Sequence, residues 1–130
     1  MNEVYEFLKK CEVYYLATTE GNQPRVRPFG TIDCFEGKLY IQTGKGKDVA
    51  KQLKANPKVE LSGMADGAWI RVQAEAVLDE RLEAQEHVLA AYPSLQSMYR
   101  AGDGNTEVYY LKNGRAQICA FGAPTKTIEF

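Results

Sequence analysis

Four lysines crowd one short stretch of the chain. The segment Thr43-Gly-Lys-Gly-Lys-Asp-Val-Ala-Lys-Gln-Leu-Lys54 carries Lys45, Lys47, Lys51 and Lys54 around the point where its pattern predicts a helix to begin. Cations are disfavoured at such a point, because the unpaired N–H groups of a helix start already present about half a positive charge. An anion bound there would offset both, and phosphate is the group that suits free amides flanked by glycine. Gly44 and Gly46 would let the backbone approach it closely, and Lys47 and Lys51, four residues apart, would share one helix face. Solvated surface lysines account for the same spacing equally well, so the pattern alone leaves both readings open. Two phosphate motifs are excluded. Gly46-Lys47 is followed by Asp48, with Ile41 at the first glycine position of a Walker A loop, and Gly44-x-Gly46 lacks the third glycine of a dinucleotide fingerprint.

A second basic feature is Pro24-Arg25-Val26-Arg27-Pro28-Phe29, in which strand alternation sends Arg25 and Arg27 to the same face. Pro28 cannot donate to a ladder, so the strand must be interrupted there or lie at an edge, with backbone groups left free for a ligand. A guanidinium offers both a fork of donors and a flat face, which suits phosphate and planar heteroaromatic groups. Paired edge arginines that deter aggregation are the competing explanation.

Other chemistry is sparse. His87, the sole histidine, falls in a helical pattern with no cysteine or second histidine beside it, and reads as structural or surface. Cys11, Cys34 and Cys119 are odd in number and far apart, which points to buried free thiols rather than a disulfide framework or a zinc site. The formal charge of -1, from 16 basic and 17 acidic residues, gives no general attraction for polyanions, so any basic site is local. Single-stranded nucleic-acid binding by the lysines, with Tyr14, Tyr15 and Phe29 as stacking platforms, is disfavoured on the same ground. No apolar run approaches the roughly 20 residues of a membrane span, and the acidic N-terminal segment does not read as a signal peptide, so a cytoplasmic protein is expected.

The elements that must position these residues can be read in order. At 130 residues with 45% hydrophobic and 25% charged composition, one domain spanning 1–130 is expected, large enough to fold without staples. Val4, Phe7, Leu8 and Cys11 form the stripe of a first helix. Strands are predicted over Val13–Thr19, Arg25–Phe35 and Lys38–Thr43, the last two joined at Glu36-Gly37. A helix over Asp48–Ala55, with Asp48 as N-cap, stops at Asn56-Pro57. Val59–Met64 is the next strand, and Ile70, Val72, Ala74, Ala76 and Leu78 alternate along a long one. A helix over Arg81–Tyr92 follows, with a further turn at Leu95–Tyr99, before two strands, Glu107–Lys112 and Arg115–Phe121, joined at Asn113-Gly114. The expectation is a mainly β (α+β) fold, a six-stranded antiparallel barrel with peripheral helices.

In this order, Arg25-Val-Arg27-Pro28, Tyr40-Ile-Gln-Thr43, the lysine-rich helix start and Leu53-Lys-Ala-Asn-Pro57-Lys-Val-Glu-Leu61 resemble the pyridoxamine 5'-phosphate oxidase-like superfamily of FMN-binding split β-barrels. The resemblance covers residues 1 to 80 best. It implies a homodimer with FMN at the subunit interface. Arg25, Val26, Arg27 and Pro28 would line the flavin, Gln42 and Thr43 would meet it at the end of the next strand, and Lys47, Lys51 and less directly Lys45 would hold the phosphate. Trp69 would face either the ring system or the dimer interface. The chain ends at Lys126-Thr-Ile-Glu-Phe130, without the longer C-terminal segment of the oxidases proper, so oxidation of pyridoxamine phosphate is not carried over.

The function implied is an FMN-dependent oxidoreductase passing hydride or electrons between reduced flavin and a small planar acceptor, the flavin supplying the redox chemistry. The alternative is a non-catalytic binding protein for flavin, heme or a deazaflavin, since fold does not determine function.

Overall fold

A computed structural model describes residues 1–130. The amphipathic start of the chain forms α1 (Asn2–Cys11), which buries Val4 and Leu8. Next come β1 (Tyr14–Glu20), β2 (Gln23–Phe29), β3 (Asp33–Phe35) and β4 (Lys38–Gly44). Helix α2 (Asp48–Ala55) separates these from β5 (Lys58–Ala65) and β6 (Ala68–Asp79). Helix α3 (Leu82–Ala91), a 3-10 turn at Pro93–Ser97, β7 (Thr106–Ala120) and β8 (Lys126–Glu129) complete the chain.

All strands belong to one antiparallel sheet in the order β2-β1-β5-β6-β7-β4-β3, with β8 added alongside β7. Six strands are seven or more residues long, and two short ones, β3 and β8, extend the sheet. This is the expected mainly β split barrel with helices at its periphery. Its main core is a cluster of 18 buried residues drawn from β1, β4, β5, β6 and β7 together with α1, α2 and Ile32 of the link between β2 and β3, and a smaller cluster joins Tyr40 and Val108 to Ala84 and Val88 of α3. The alternation read in β6 holds from Ile70 to Ala76, with Ile70, Val72, Ala74 and Ala76 buried and Arg71 and Gln73 exposed, and fades at Leu78, which is only partly buried.

Two strand assignments are corrected. The stretch expected as one strand over Arg25–Phe35 is broken into β2 and β3: Pro28 is still paired with Tyr15 on β1, but β2 ends at Phe29 and the residues from Gly30 to Ile32 belong to no strand. The expected hairpin at Asn113-Gly114 does not form. Asn113 takes φ 53°, but Gly114 stays extended because its N–H donates to Phe130 O and its carbonyl accepts from Phe130 N–H, each at 2.9 Å. A type I′ turn needs positive φ at both central residues. Instead, between the pairs Gln73↔Arg115 and Glu75↔Lys112, two residues of β7 oppose one of β6, a β-bulge that bends a single 15-residue strand. Phe130 lies where a Gly114 side chain would be. The type I′ geometry appears at Glu36-Gly37 (φ 51° and 74°) and at Asp66-Gly67 (φ 53° and 77°), joining β3 to β4 and β5 to β6.

The three cysteines are free, as expected, but only partly buried. No helix is long and apolar enough to cross a membrane.

Candidate functional site

Strand β2 pairs with β1 alone, so its outer edge carries unpaired backbone groups, as Pro28 requires. The register sets Arg25 opposite Thr18 and Arg27 opposite Leu16, which places both arginines on the face that carries the buried Leu16 and Thr18. Helix α2 covers that face. Its buried side is Val49, Ala50, Gln52 and Leu53, so a polar residue stands among the apolar ones.

Gln52 and Arg27 are joined there. Arg27 Nη1 donates to Thr18 Oγ1 at 2.7 Å and to Leu16 O at 3.1 Å, and Nη2 donates to Gln52 Oε1 at 2.5 Å. Thr18 Oγ1 also donates to Gln52 Oε1 at 2.5 Å. Every acceptor in this set is neutral. Burial and the neighbouring Arg25 lower the Arg27 pKa, and Asp48 acts in the opposite direction, burial being the largest cause. The guanidinium is therefore held rigidly and partly desolvated without a hydrogen-bonded carboxylate, which is the arrangement of a receptor for an external anion. Arg25 differs, since its Nη2 lies 2.9 Å from Glu20 Oε1 in an exposed ion pair.

Arg25, Val26, Arg27 and Lys47 line one cleft of about 460 Å³ together with Asp48 and Gln52. Lys47, not Asp48, is the N-cap of α2, because the backbone turns extended one residue earlier than expected (φ -78°, ψ 151°); Asp48 is instead an acidic residue of the first turn. No side chain caps the helix start. Asp48 and Val49, the first two residues of α2, line the same cleft as Arg27, while the N–H groups of Ala50 and Lys51 already donate to Lys47 O.

The remaining expected residues are placed elsewhere in the chain. Lys51 is exposed one turn further along α2 and does not line the cleft. Lys45 lines a different cleft with Lys54 and Glu107, where Lys54 Nζ pairs with Glu107 Oε2 at 2.7 Å. Gln42 and Thr43 end β4 with buried side chains, and Gln42 Nε2 donates to Thr43 O at 3.2 Å. Trp69 lies at the start of β6 on the outer face, beside Phe121 at 5.3 Å between ring centroids. Pro28 is exposed on β2.

Gln52 and Thr18 are the site residues that the sequence reading did not single out. The signal for Gln52 was present, since it stands three residues after Val49, on the core side of the helical stripe, where a polar residue needs a buried partner. His87 is held by Asp33, with Nδ1 2.6 Å from Asp33 Oδ2, far in sequence from the cleft and absent from its lining.

Residues 1–117, which take in every element except the end of β7 and β8, match the family described as Pyridoxamine 5'-phosphate oxidase. The chain belongs to that family. A NimC/NimA family protein from Clostridium acetobutylicum is 47% identical, with a TM-score of 0.97 over 100% of this chain and 92% of the other. General Stress Protein 26 from Bacillus anthracis shares the fold at 14% identity, with a TM-score of 0.77 over 99% and 97% of the two chains. A heme binding protein from Mycobacterium smegmatis does so at 16% identity, with a TM-score of 0.68 over 96% of this chain and 57% of its own. No curated protein matches the sequence.

Proposed function

We propose that this protein binds FMN and acts as a flavin-dependent oxidoreductase on a small planar partner, as a single domain over residues 1–130. The observation that carries the reading is Arg27, a partly desolvated cation whose three protein acceptors are all neutral, set beside the open N-terminus of α2. A dianionic phosphate ester offsets both and accepts from both. Lys47 adds a third donor from the same cleft, and Lys51 and Lys45 contribute at longer range through their charge. The open edge of β2, from Arg25 to Pro28, suits a flat heterocycle bearing donors and acceptors along one side.

FMN, when bound, supplies hydride or single-electron transfer. The chain's own residues bind and orient. Arg27 is held in position by Thr18 and Gln52, and Val26 offers an apolar wall, its side chain 68% exposed. Gln42 and Thr43 support the end of β4 that leads into the Gly44-Lys45-Gly46 turn. A homodimer with the flavin at its interface is part of this proposal. Exposed Tyr15 and Val26 on the outer face of β1 and β2 favour it, and Trp69 would reach a flavin only across such an interface.

The cleft lining contains no histidine, cysteine, methionine or tyrosine, the side chains that ligate heme iron, which favours FMN over heme as occupant. Titration of the flavin-free protein with FMN and with riboflavin, followed by flavin fluorescence, tests the reading. Binding of FMN at least ten-fold tighter than riboflavin supports it; equal affinity refutes it.

A further inference from the structure

Helix α3, the 3-10 turn and the loop after it border a cleft of about 280 Å³ that shares no residue with the flavin cleft. Leu89, Tyr99 and Ala101 give it an apolar lining. Glu86, from the helix, and Arg100, from the loop, are its two charged residues. Glu86 stands one turn before Ala90, which also lines the cleft, so carboxylate and apolar surface share one face of α3. The volume falls just under the range of about 300–1,000 Å³ that takes drug-sized ligands, so the occupant is small.

Glu86 and Arg100 form no ion pair, either with each other or with a neighbour. The main chain of Arg100 is nevertheless anchored: its N–H donates to Asp103 Oδ2 at 2.9 Å, and its carbonyl accepts from Asp103 N–H at 3.1 Å and from Thr106 Oγ1 at 3.2 Å. The guanidinium thus projects from a fixed base with its donors unspent. On the helix side, Gln96 Nε2 donates to Leu89 O at 3.1 Å, which leaves Gln96 Oε1 as an acceptor. The last turn of α3 holds no basic residue, so the partial negative charge of its terminal carbonyls adds to that of Glu86. Two further acids of this segment are engaged elsewhere. Glu83 lies 3.7 Å from Arg81 Nη1, and Asp103 accepts the N–H groups of Arg100, Asn105 and Thr106.

The cleft therefore presents one unpaired cation, one unpaired anion and an apolar surface, with no net charge. A simple acid or a simple amine satisfies one of the two charges and leaves the other unanswered, whereas a molecule that carries both satisfies the pair. We propose that this cleft binds a small apolar α-amino acid as its zwitterion. The carboxylate meets Arg100, the ammonium group meets Glu86 and Gln96 Oε1, and the side chain lies on Leu89, Tyr99 and Ala101. The site goes beyond the flavin reading and stands without it.

The probes are leucine, isopentylamine, which lacks its carboxylate, and isocaproate, which lacks its ammonium group, each titrated by calorimetry into the purified full-length protein. Leucine is expected to bind saturably and about ten-fold or more tighter than either analogue, and to shift the backbone amide resonances of Ala90, Tyr99 and Ala101. Arg100→Gln lowers leucine to the affinity of the amine, Glu86→Gln lowers it to the affinity of the acid, and Arg100→Lys keeps part of the difference. FMN affinity stays at the wild-type value in all three variants, since neither position lines the flavin cleft. Equal titration of the three probes overturns the proposal, as does leucine binding that survives Arg100→Gln or that shifts resonances elsewhere in the chain. Equal losses of thermal stability in Arg100→Gln and Glu86→Gln, without leucine binding to the wild type, show that the two charges pair with each other in solution, which also overturns it. Sedimentation supplies a last arm: an oligomer that dissociates in either variant shows that the cleft faces a second copy of the chain, and the proposal fails.

Discussion

Replacing Gln52 by glutamate adds one negative charge with almost no change of shape. Gln52 Oε1 already lies 2.5 Å from Arg27 Nη2 and 2.5 Å from Thr18 Oγ1, so a carboxylate oxygen can take the same place and both hydrogen bonds. The change supplies the counter-ion that Arg27 lacks in the native protein. A phosphate bound on the outer side of that guanidinium would then meet a carboxylate at roughly 6 Å, where two unit charges repel by about 2–3 kcal/mol at an effective dielectric near 20. FMN affinity should fall roughly 30- to 150-fold. Riboflavin has no phosphate, so its affinity should change by less than about two-fold. Flavin fluorescence titrations of both ligands against wild type and Gln52→Glu provide the assay, and urea unfolding checks that the variant remains folded. Equal losses for FMN and riboflavin, or no loss for FMN in a folded variant, would show that the Arg27 cage does not face a phosphate.

Lys47→Ala should weaken FMN binding about five-fold, the worth of one exposed charge contact, whereas Lys51→Ala, outside the cleft, should change it less than about two-fold in the same titration. Gly114→Ala forces a Cβ into the Phe130 ring, and should cost about 1–3 kcal/mol in urea denaturation by expelling the C-terminal residue from its double hydrogen bond. Asp79 accepts from Arg81 Nε, Arg81 Nη2 and Tyr40 Oη, and these contacts, Arg81 foremost, lower its pKa from 3.8 to about 2. A depressed carboxylate pKa stabilises the fold fully above the unfolded value and is lost as pH falls through the folded one. About 1–2 kcal/mol should therefore disappear between about pH 4 and pH 2, and Asp79→Asn should flatten that part of the stability profile measured by thermal melts.

The parts of the fold that could be read from sequence are those in which local pattern and tertiary pairing agree. The alternation of β6 was legible because from Ile70 to Ala76 its two faces meet different media, core and solvent. The stripe of α1 and the Glu36-Gly37 turn were legible for similarly local reasons. Asn113-Gly114 misled because the residue that overrides its turn preference is Phe130, 16 positions away, and no local pattern announces that pairing. The converse holds at Asp66-Gly67, where an equally strong turn dipeptide does form the hairpin that aligns β5 with β6.

The candidate site divides in the same way. Strand alternation correctly put Arg25 and Arg27 on one face, and Pro28 correctly marked an edge strand. Distributing the four lysines was beyond a spacing argument, because the Gly44-Lys45-Gly46 turn sends Lys45 to the far side, beside Lys54 and Glu107. Gln52 was passed over although its position in the helical stripe was informative. Its importance rests on Thr18, 34 residues earlier, a partner that only the packing of α2 on β1 brings within reach.

The central claim is that the Arg27 corner holds a phosphate ester, and a crystal structure of the protein grown with FMN tests it most directly. The account predicts phosphate oxygens about 3 Å from the Arg27 guanidinium and from the first N–H groups of α2, with the heterocycle along the open edge of β2. A flavin whose phosphate lies elsewhere, for instance in the cleft of Lys45 and Lys54, with Arg27 still bonded only to Leu16, Thr18 and Gln52, would contradict it.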